Sequence, residues 1–174
     1  VYNRPCAIHD DPIEKKPLYH FLPSSRVLSI GTLGCNLFCQ GCQNFEISRI
    51  TTISDASQIG EVTPKDVVNR AHKGMYESIA YTYTEPTIFF EYMIAIAKLA
   101  KKKGIQNIIV SNGYIEEGPL KELLRYIDAA NIDLKGFTES FYKTYCGATL
   151  APVLRTIKQI HEHNKKSKKK CWLE

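Results

Sequence analysis

Gly34-Cys-Asn-Leu-Phe-Cys-Gln-Gly-Cys-Gln-Asn44 follows directly on an apolar run, Val27 to Leu33, that reads as a strand. Its Cys35, Cys39 and Cys42 stand at C-x3-C-x2-C spacing. Three thiolates so spaced hold three corners of a [4Fe–4S] cluster and leave the fourth iron without a protein ligand, whereas a four-cysteine electron carrier has no such vacancy. An iron with a free position binds a substrate or cofactor, so the spacing points toward chemistry rather than electron storage. Two other readings stand beside it. One is a structural zinc site, which prefers four ligands with C-x2-C pairs and later His or Cys partners. The other is three buried thiols. Cys6, Cys146 and Cys171 are distant in sequence and unpaired.

Outward from this loop, strand and helix signals alternate. The strand Arg26–Leu33 precedes the cysteines. Residues 46–62 alternate polar and small side chains and read as irregular. Thr63-Pro64 with Asp66 starts a helix, by a threonine cap, proline at the first helical position and an acid in the first turn. Gly74 ends that helix. Ser78–Tyr83 reads as the second strand. Helix 87–103 follows, with Ile88, Tyr92, Ala95, Ile96 and Leu99 on one face and lysines at its negative end. Gln106–Val110 is the third strand, and Pro119 begins a helix carrying Leu120, Leu123, Leu124 and Ile127. Ala130–Leu134 is the fourth strand, Pro152 opens a last helix, and Cys171–Glu174 starts a fifth strand. Repeated strand-then-helix units imply right-handed crossovers and a parallel sheet, hence an α/β fold. Residues 34–44, 83–87, 111–113 and 133–136 each follow or end a strand. Parallel α/β folds gather their chemistry at that rim.

Length and composition limit the remaining possibilities. The 174 residues suit one domain. Residues 1–25 carry Pro5, Pro12, Pro17 and Pro23 and read as an extended N-terminal arm, with 26–174 as the barrel. No apolar run approaches the ~20 residues that cross a bilayer, and no signal-peptide pattern opens the sequence, so no membrane is expected. Six cysteines, three of them clustered, suggest metal use in a reducing, cytoplasmic setting. The net charge of +5 resides in Lys165, Lys166, Lys168, Lys169 and Lys170; without those five, basic residues equal the 18 acidic ones. A terminal lysine run reads as a solvated end, so no nucleic-acid partner is expected.

Asp11-Pro-Ile-Glu-Lys-Lys-Pro-Leu-Tyr-His-Phe21, the cysteine loop with Gln43-Asn44, Tyr81-Thr-Tyr-Thr-Glu-Pro-Thr87, Val110-Ser-Asn-Gly113, Asn131-Ile-Asp-Leu-Lys-Gly136 and Cys146-Gly147 occur in one order. Together they resemble the radical SAM superfamily, in particular the AmmeMemoRadiSam-system radical SAM enzymes, relatives of the pyruvate formate-lyase activating enzymes. The resemblance covers essentially the whole chain. It implies a partial β/α barrel of about six units, of which this chain supplies four and the opening of a fifth. The sequence is accordingly expected to be truncated at both ends. It implies a [4Fe–4S] cluster on Cys35, Cys39 and Cys42 whose fourth iron chelates S-adenosylmethionine, one-electron cleavage to a 5′-deoxyadenosyl radical, and hydrogen abstraction from an unknown substrate, small molecule or protein. A reductant protein such as a flavodoxin or ferredoxin would supply the electron. Two further readings are activation of a glycyl radical enzyme and a non-catalytic, truncated cluster-binding fragment.

The same resemblance assigns cofactor contacts. Glu85 falls where relatives meet the amino group of S-adenosylmethionine; its alternative is a cap on the helix opened by Pro86. Ser111 and Asn112 match a cofactor-reaching segment, and Asn-Gly is equally an ordinary turn signal. Asp133 and Lys135 share a side of a strand by period 2. They match a pair that meets the cofactor's ribose or carboxylate region, with a buried ion pair as the alternative. Val110 stands where activating enzymes often carry an acid beside a monovalent cation, so that cation site is not expected. Gly41 stands where superfamily members usually place an aromatic against the adenine, a stacking deficit on the order of 1 kcal/mol. Phe38 and Phe45 are the neighbouring aromatics available to replace it.

Overall fold

Six strands follow one another in chain order across a single sheet: β1 (Ala7–Pro12), β2 (Arg26–Gly31), β3 (Ser78–Tyr81), β4 (Gln106–Ser111), β5 (Ala129–Ile132) and β6 (Trp172–Leu173). This computed structural model describes residues 2–49 and 57–174. Strands β2 to β6 are parallel, and β1 runs antiparallel to β2 on the outer edge. Four crossover helices join the parallel strands: α1 (Pro64–Lys73), α2 (Phe90–Lys102), α3 (Glu117–Leu123) and α4 (Ala151–Lys166). Each crossover adds its strand beside the previous one, so the sheet winds in a single direction as an open, partial β/α barrel.

Local chemistry accounts for the helix ends. Thr63 and Asp66 form a reciprocal capping box, Asp66 N donating to Thr63 Oγ1 at 3.2 Å and Thr63 N to Asp66 Oδ2 at 3.0 Å, with Pro64 in the first turn. The single helix expected over 87–103 divides into a 3₁₀ turn, Pro86–Phe89, and α2. Helix α3 begins two residues ahead of Pro119, which sits in the first turn where its missing N–H costs nothing. Of the segment 46–62, residues 50–56 lie outside the described residues, and Phe45–Ser48 forms one helical turn.

Strand alternation sorts the core into two layers. Leu28, Ile30, Ile79, Tyr81, Ile109 and Ala130 face the helices and pack with Val67, Met93, Ile96, Leu120 and Ile160. On the opposite face, Val27, Ala80, Ile108 and Ala129 meet Ile13, Leu18 and Phe21. The residues expected as an extended arm therefore supply both an edge strand and the filling of the barrel's inner floor. Ile13 and Leu18 are fully buried, roughly 1.5–3 kcal/mol of burial each. The same segment ties the far edge: Glu174 accepts from the backbone N–H of Tyr19 and His20, and Asn131 donates to the Pro17 carbonyl. Among the described residues, no helix is long and apolar enough to cross a membrane.

Candidate functional site

Strands β2, β3 and β5 stop about two residues short of their expected ends, and segments that follow them border one cavity of about 1030 Å³ at the carboxyl rim. Its wall after β2 is the cysteine loop. Gly34 leaves the strand at φ +90°, a backbone region that favours glycine, and its N–H donates to the Ile47 carbonyl at 2.8 Å. The loop is held from the other side by the π-helical turn Tyr142–Cys146: Phe38 N donates to the Cys146 carbonyl and Gln40 N to the Tyr145 carbonyl. Two asparagines pin its middle. Asn36 donates to the Tyr114 carbonyl at 2.8 Å and accepts from Asn112 Nδ2 at 2.8 Å.

Cys35, Cys39 and Cys42 all line the cavity and are partly exposed. Burial pushes the Cys35 thiol up, against the Leu37 N–H it accepts. Cys39 is pushed up to about 11 by burial and by the neighbouring Cys146 thiol. Iron or zinc binding there displaces protons, because thiolate is the ligand. Among the described residues, no three His, Cys, Asp or Glu side chains gather around a single ion. The triad instead presents three half-exposed sulfurs along one wall of a roomy cavity, and that donor set suits the corners of a cluster.

Glu85 is 1% exposed, and both its oxygens are engaged. Oε1 accepts from Ser111 Oγ at 2.8 Å and Thr87 N at 3.0 Å, and Oε2 accepts from Asn112 N at 2.8 Å. Burial raises its pKa, against the hydrogen bonds that favour the carboxylate. The side chain thus caps the Pro86 turn and also clamps β4's end to β3's while facing the cavity. Ser111 and Asn112 are buried, and the Ser111 hydroxyl closes the turn by accepting from Gly113 N at 3.0 Å. Asn112 Nδ2 also lies 3.8 Å from Cys35 Sγ, so the turn after β4 touches the cysteine loop directly.

Asp133 and Lys135 both line the cavity, and they pair at 3.0 Å. Burial pushes the Lys135 ammonium down, and Asp133 more than offsets it. Val110 lines the cavity too, with no carboxylate in its place. Four of the five candidates, Glu85, Asn112, Asp133 and Lys135, therefore border one space with the three cysteines, while Ser111 lies behind Glu85 and holds its carboxylate.

Two features escaped the sequence. A Cβ on Gly41 would lie 2.1 Å from the Tyr145 hydroxyl, so the phenol occupies the volume that a side chain at 41 would need. Tyr145 stacks on Phe141 at 4.9 Å, and both border the cavity, whereas Phe38 and Phe45 are exposed. Cys146 is fully buried against Cys39. The Cys146-Gly147 pair was visible as a motif, but about a hundred residues separate it from the loop it touches.

The sequence pattern of the Radical SAM superfamily matches residues 29–173. This chain belongs to the radical SAM superfamily. An uncharacterized protein of Methanocaldococcus jannaschii is 45% identical over 157 residues, covering 90% of this chain and 46% of that protein. The 4-hydroxyphenylacetate decarboxylase activating enzyme of Clostridium scatologenes is 22% identical over 132 residues, covering 72% of this chain and 42% of that enzyme. The chain thus spans a little under half the length of these relatives. Its fold is like that of Streptococcus suis SuiB, solved bound to S-adenosylmethionine, at a TM-score of 0.58 and 18% identity, covering 84% of this chain and 31% of SuiB. Membership implies a [4Fe–4S] cluster and S-adenosylmethionine for the family.

Proposed function

We propose that this chain is a radical SAM enzyme in which Cys35, Cys39 and Cys42 hold a [4Fe–4S] cluster, and Glu85, Ser111, Asn112, Asp133 and Lys135 shape the S-adenosylmethionine site. The observation that carries the reading is the convergence of the three thiols with Glu85, Asn112, Asp133 and Lys135 on one cavity, Ser111 supporting Glu85 from behind. When bound, the cluster supplies the electron that cleaves the cofactor and so starts hydrogen abstraction from a substrate whose identity is open. The residues of the chain bind and orient. The Glu85 clamp fixes the Ser111–Gly113 turn and leaves Asn112 Nδ2 beside the first cysteine. Lys135, carrying its charge beside Asp133, offers an ammonium to a carboxylate, and Asp133 offers acceptors to hydroxyls. Tyr145 and Phe141 present an aromatic face near Gly41, and aromatic faces stack on planar heterocycles. The electron would come from a flavodoxin- or ferredoxin-like donor in a reducing cytoplasm, in keeping with six free cysteines.

The test is anaerobic reconstitution with iron and sulfide, followed by electron paramagnetic resonance of the reduced protein with and without S-adenosylmethionine. A cluster signal that shifts on adding the cofactor, and that C39S lacks, supports the reading. Iron binding without a cluster signal overturns it in favour of a mononuclear metal site. A second reading, activation of a glycyl radical enzyme, draws on the activating-enzyme relative. A glycyl radical on a co-incubated partner protein would establish it.

A further inference from the structure

The cavity that the cysteine loop borders is also lined by Lys15, Lys16 and Pro17 of the Asp11–Phe21 motif, which the proposed cofactor site leaves unused. Asp11, next to last in β1 and 4% exposed, accepts from two lysines at once, Lys15 Nζ on Oδ1 at 2.7 Å and Lys16 Nζ on Oδ2 at 2.8 Å. Tyr83 also donates to Oδ2 at 2.9 Å, and its oxygen lies 3.4 Å from Lys16 Nζ. Lys16 is 1% exposed, which for an ammonium is tolerated only with partners. Its three N–H groups face two partners here, and Lys15, with its side chain 58% exposed, uses one of three.

The charges do not balance. Two ammoniums share one carboxylate, leaving one positive charge in excess here. Among the described residues lining the cavity, the carboxylates are Glu85, held by three donors, and Asp133, paired with Lys135. Neither is available to Lys15 or Lys16. His9, edge-on to Tyr83 at 5.9 Å, adds a further potential donor at the same place.

We propose that Lys15 and Lys16, which line the same cavity as Cys35, Cys39 and Cys42, bind an anionic group of the substrate, a carboxylate or a phosphate. The assignment rests on the cavity being the reaction chamber. It adds that the substrate is anchored by its anion at the two lysines, with its remaining atoms extending toward the cysteine loop. Asp11 and Tyr83 act as positioning residues that hold the two ammoniums apart, one on each carboxylate oxygen. Ammoniums so prearranged lose little freedom on binding, and charge-assisted hydrogen bonds are the stronger kind.

The experiment uses the iron-free protein, so its failure is separate from any failure of cluster chemistry. Inorganic phosphate and, in a parallel arm, malonate are titrated calorimetrically at constant ionic strength against a chloride control, with K15Q and K65Q compared. Lys65 is an exposed lysine of α1 away from the cavity. The expected result is saturable binding of at least one anion, weakened about tenfold in K15Q and unchanged in K65Q, with both variants melting like the parent. The arm that binds tells carboxylate from phosphate. Absence of saturable binding overturns the proposal. So does equal weakening by K15Q and K65Q, which would mean general charge attraction, or displacement of the anion by S-adenosylmethionine, which would assign the site to the cofactor.

Discussion

Replacing Glu85 separates a strut from a surface acid. The carboxylate satisfies the Thr87 and Asn112 N–H groups and the Ser111 hydroxyl in a site only 1% exposed. Glu85→Ala orphans all three, and each unsatisfied buried donor costs about 1–3 kcal/mol. The adjoining cavity admits water to some of them, and a buried carboxylate no longer has to be desolvated, so the net cost is about 3 kcal/mol. Glu85→Gln with its amide oxygen on the Oε1 side keeps the acceptor for the Ser111 hydroxyl and Thr87 N–H. Only Asn112 N–H is left unpaired, about 1 kcal/mol. The pH dependence has a defined sign. Burial raises the Glu85 pKa in the folded state, so its contribution is complete below the unfolded value of about 4.3 and declines as pH rises through the higher folded value. The gap between parent and Glu85→Gln therefore narrows as pH rises from about 4. Urea unfolding of the iron-free protein at several pH values, with unchanged m, measures these differences. A Glu85→Ala cost below about 1 kcal/mol would refute the clamp, and a gap that widens with pH would refute burial as the dominant influence on the Glu85 pKa.

Three other outcomes follow from the packing. Leu18→Ala empties a fully buried position under the inner face of the sheet and should cost about 2–5 kcal/mol in urea melts, whereas a surface arm would show almost no change. The Tyr83 phenol, pushed up to about 12 by burial and by its hydrogen bond to Asp11, should ionise late. Tyrosinate absorbance of the parent minus that of Tyr83→Phe should then show a step near 12, and the stability it lends is present below about 10 and lost as pH climbs through its folded value. Cys146→Ala should keep the parent's iron and sulfide content and Cys39→Ala should lose it; equal loss in both would make Cys146 a ligand.

The β/α alternation was legible because helix caps and apolar periods are local. Thr63-Pro64 with Asp66 marked α1, and the fold assembles that capping box. The cysteine loop was legible for the same reason, since C-x3-C-x2-C lies within a few residues. Asp133 and Lys135 were placed on one side by strand period; they do pair, but from irregular backbone beyond the end of β5 at Ile132. Other features depend on contacts between distant segments and leave no local period. Tyr145 over Gly41, Cys146 against Cys39, and Tyr83 against Asp11 each join residues about 70 to 105 positions apart. The prolines of the first 25 residues masked β1, whose antiparallel pairing to β2 leaves Pro12 at its end. Strand ends were overextended because Thr32-Leu33 and Thr82-Tyr83 have strand-like chemistry. Thr82 and Tyr83 border the cavity just past the end of β3, and Thr82 N still donates to the Ile30 carbonyl of β2.

The central claim, that this chain carries radical SAM chemistry on its cysteine loop, is tested most directly by measuring 5′-deoxyadenosine. The protein is reconstituted anaerobically with iron and sulfide and supplied with reductant and S-adenosylmethionine, beside C35S, C39S and C42S controls. The account predicts product from the parent chain and none from any of the three variants. Product that persists in a cysteine variant, or a fully loaded cluster that yields none, would contradict it.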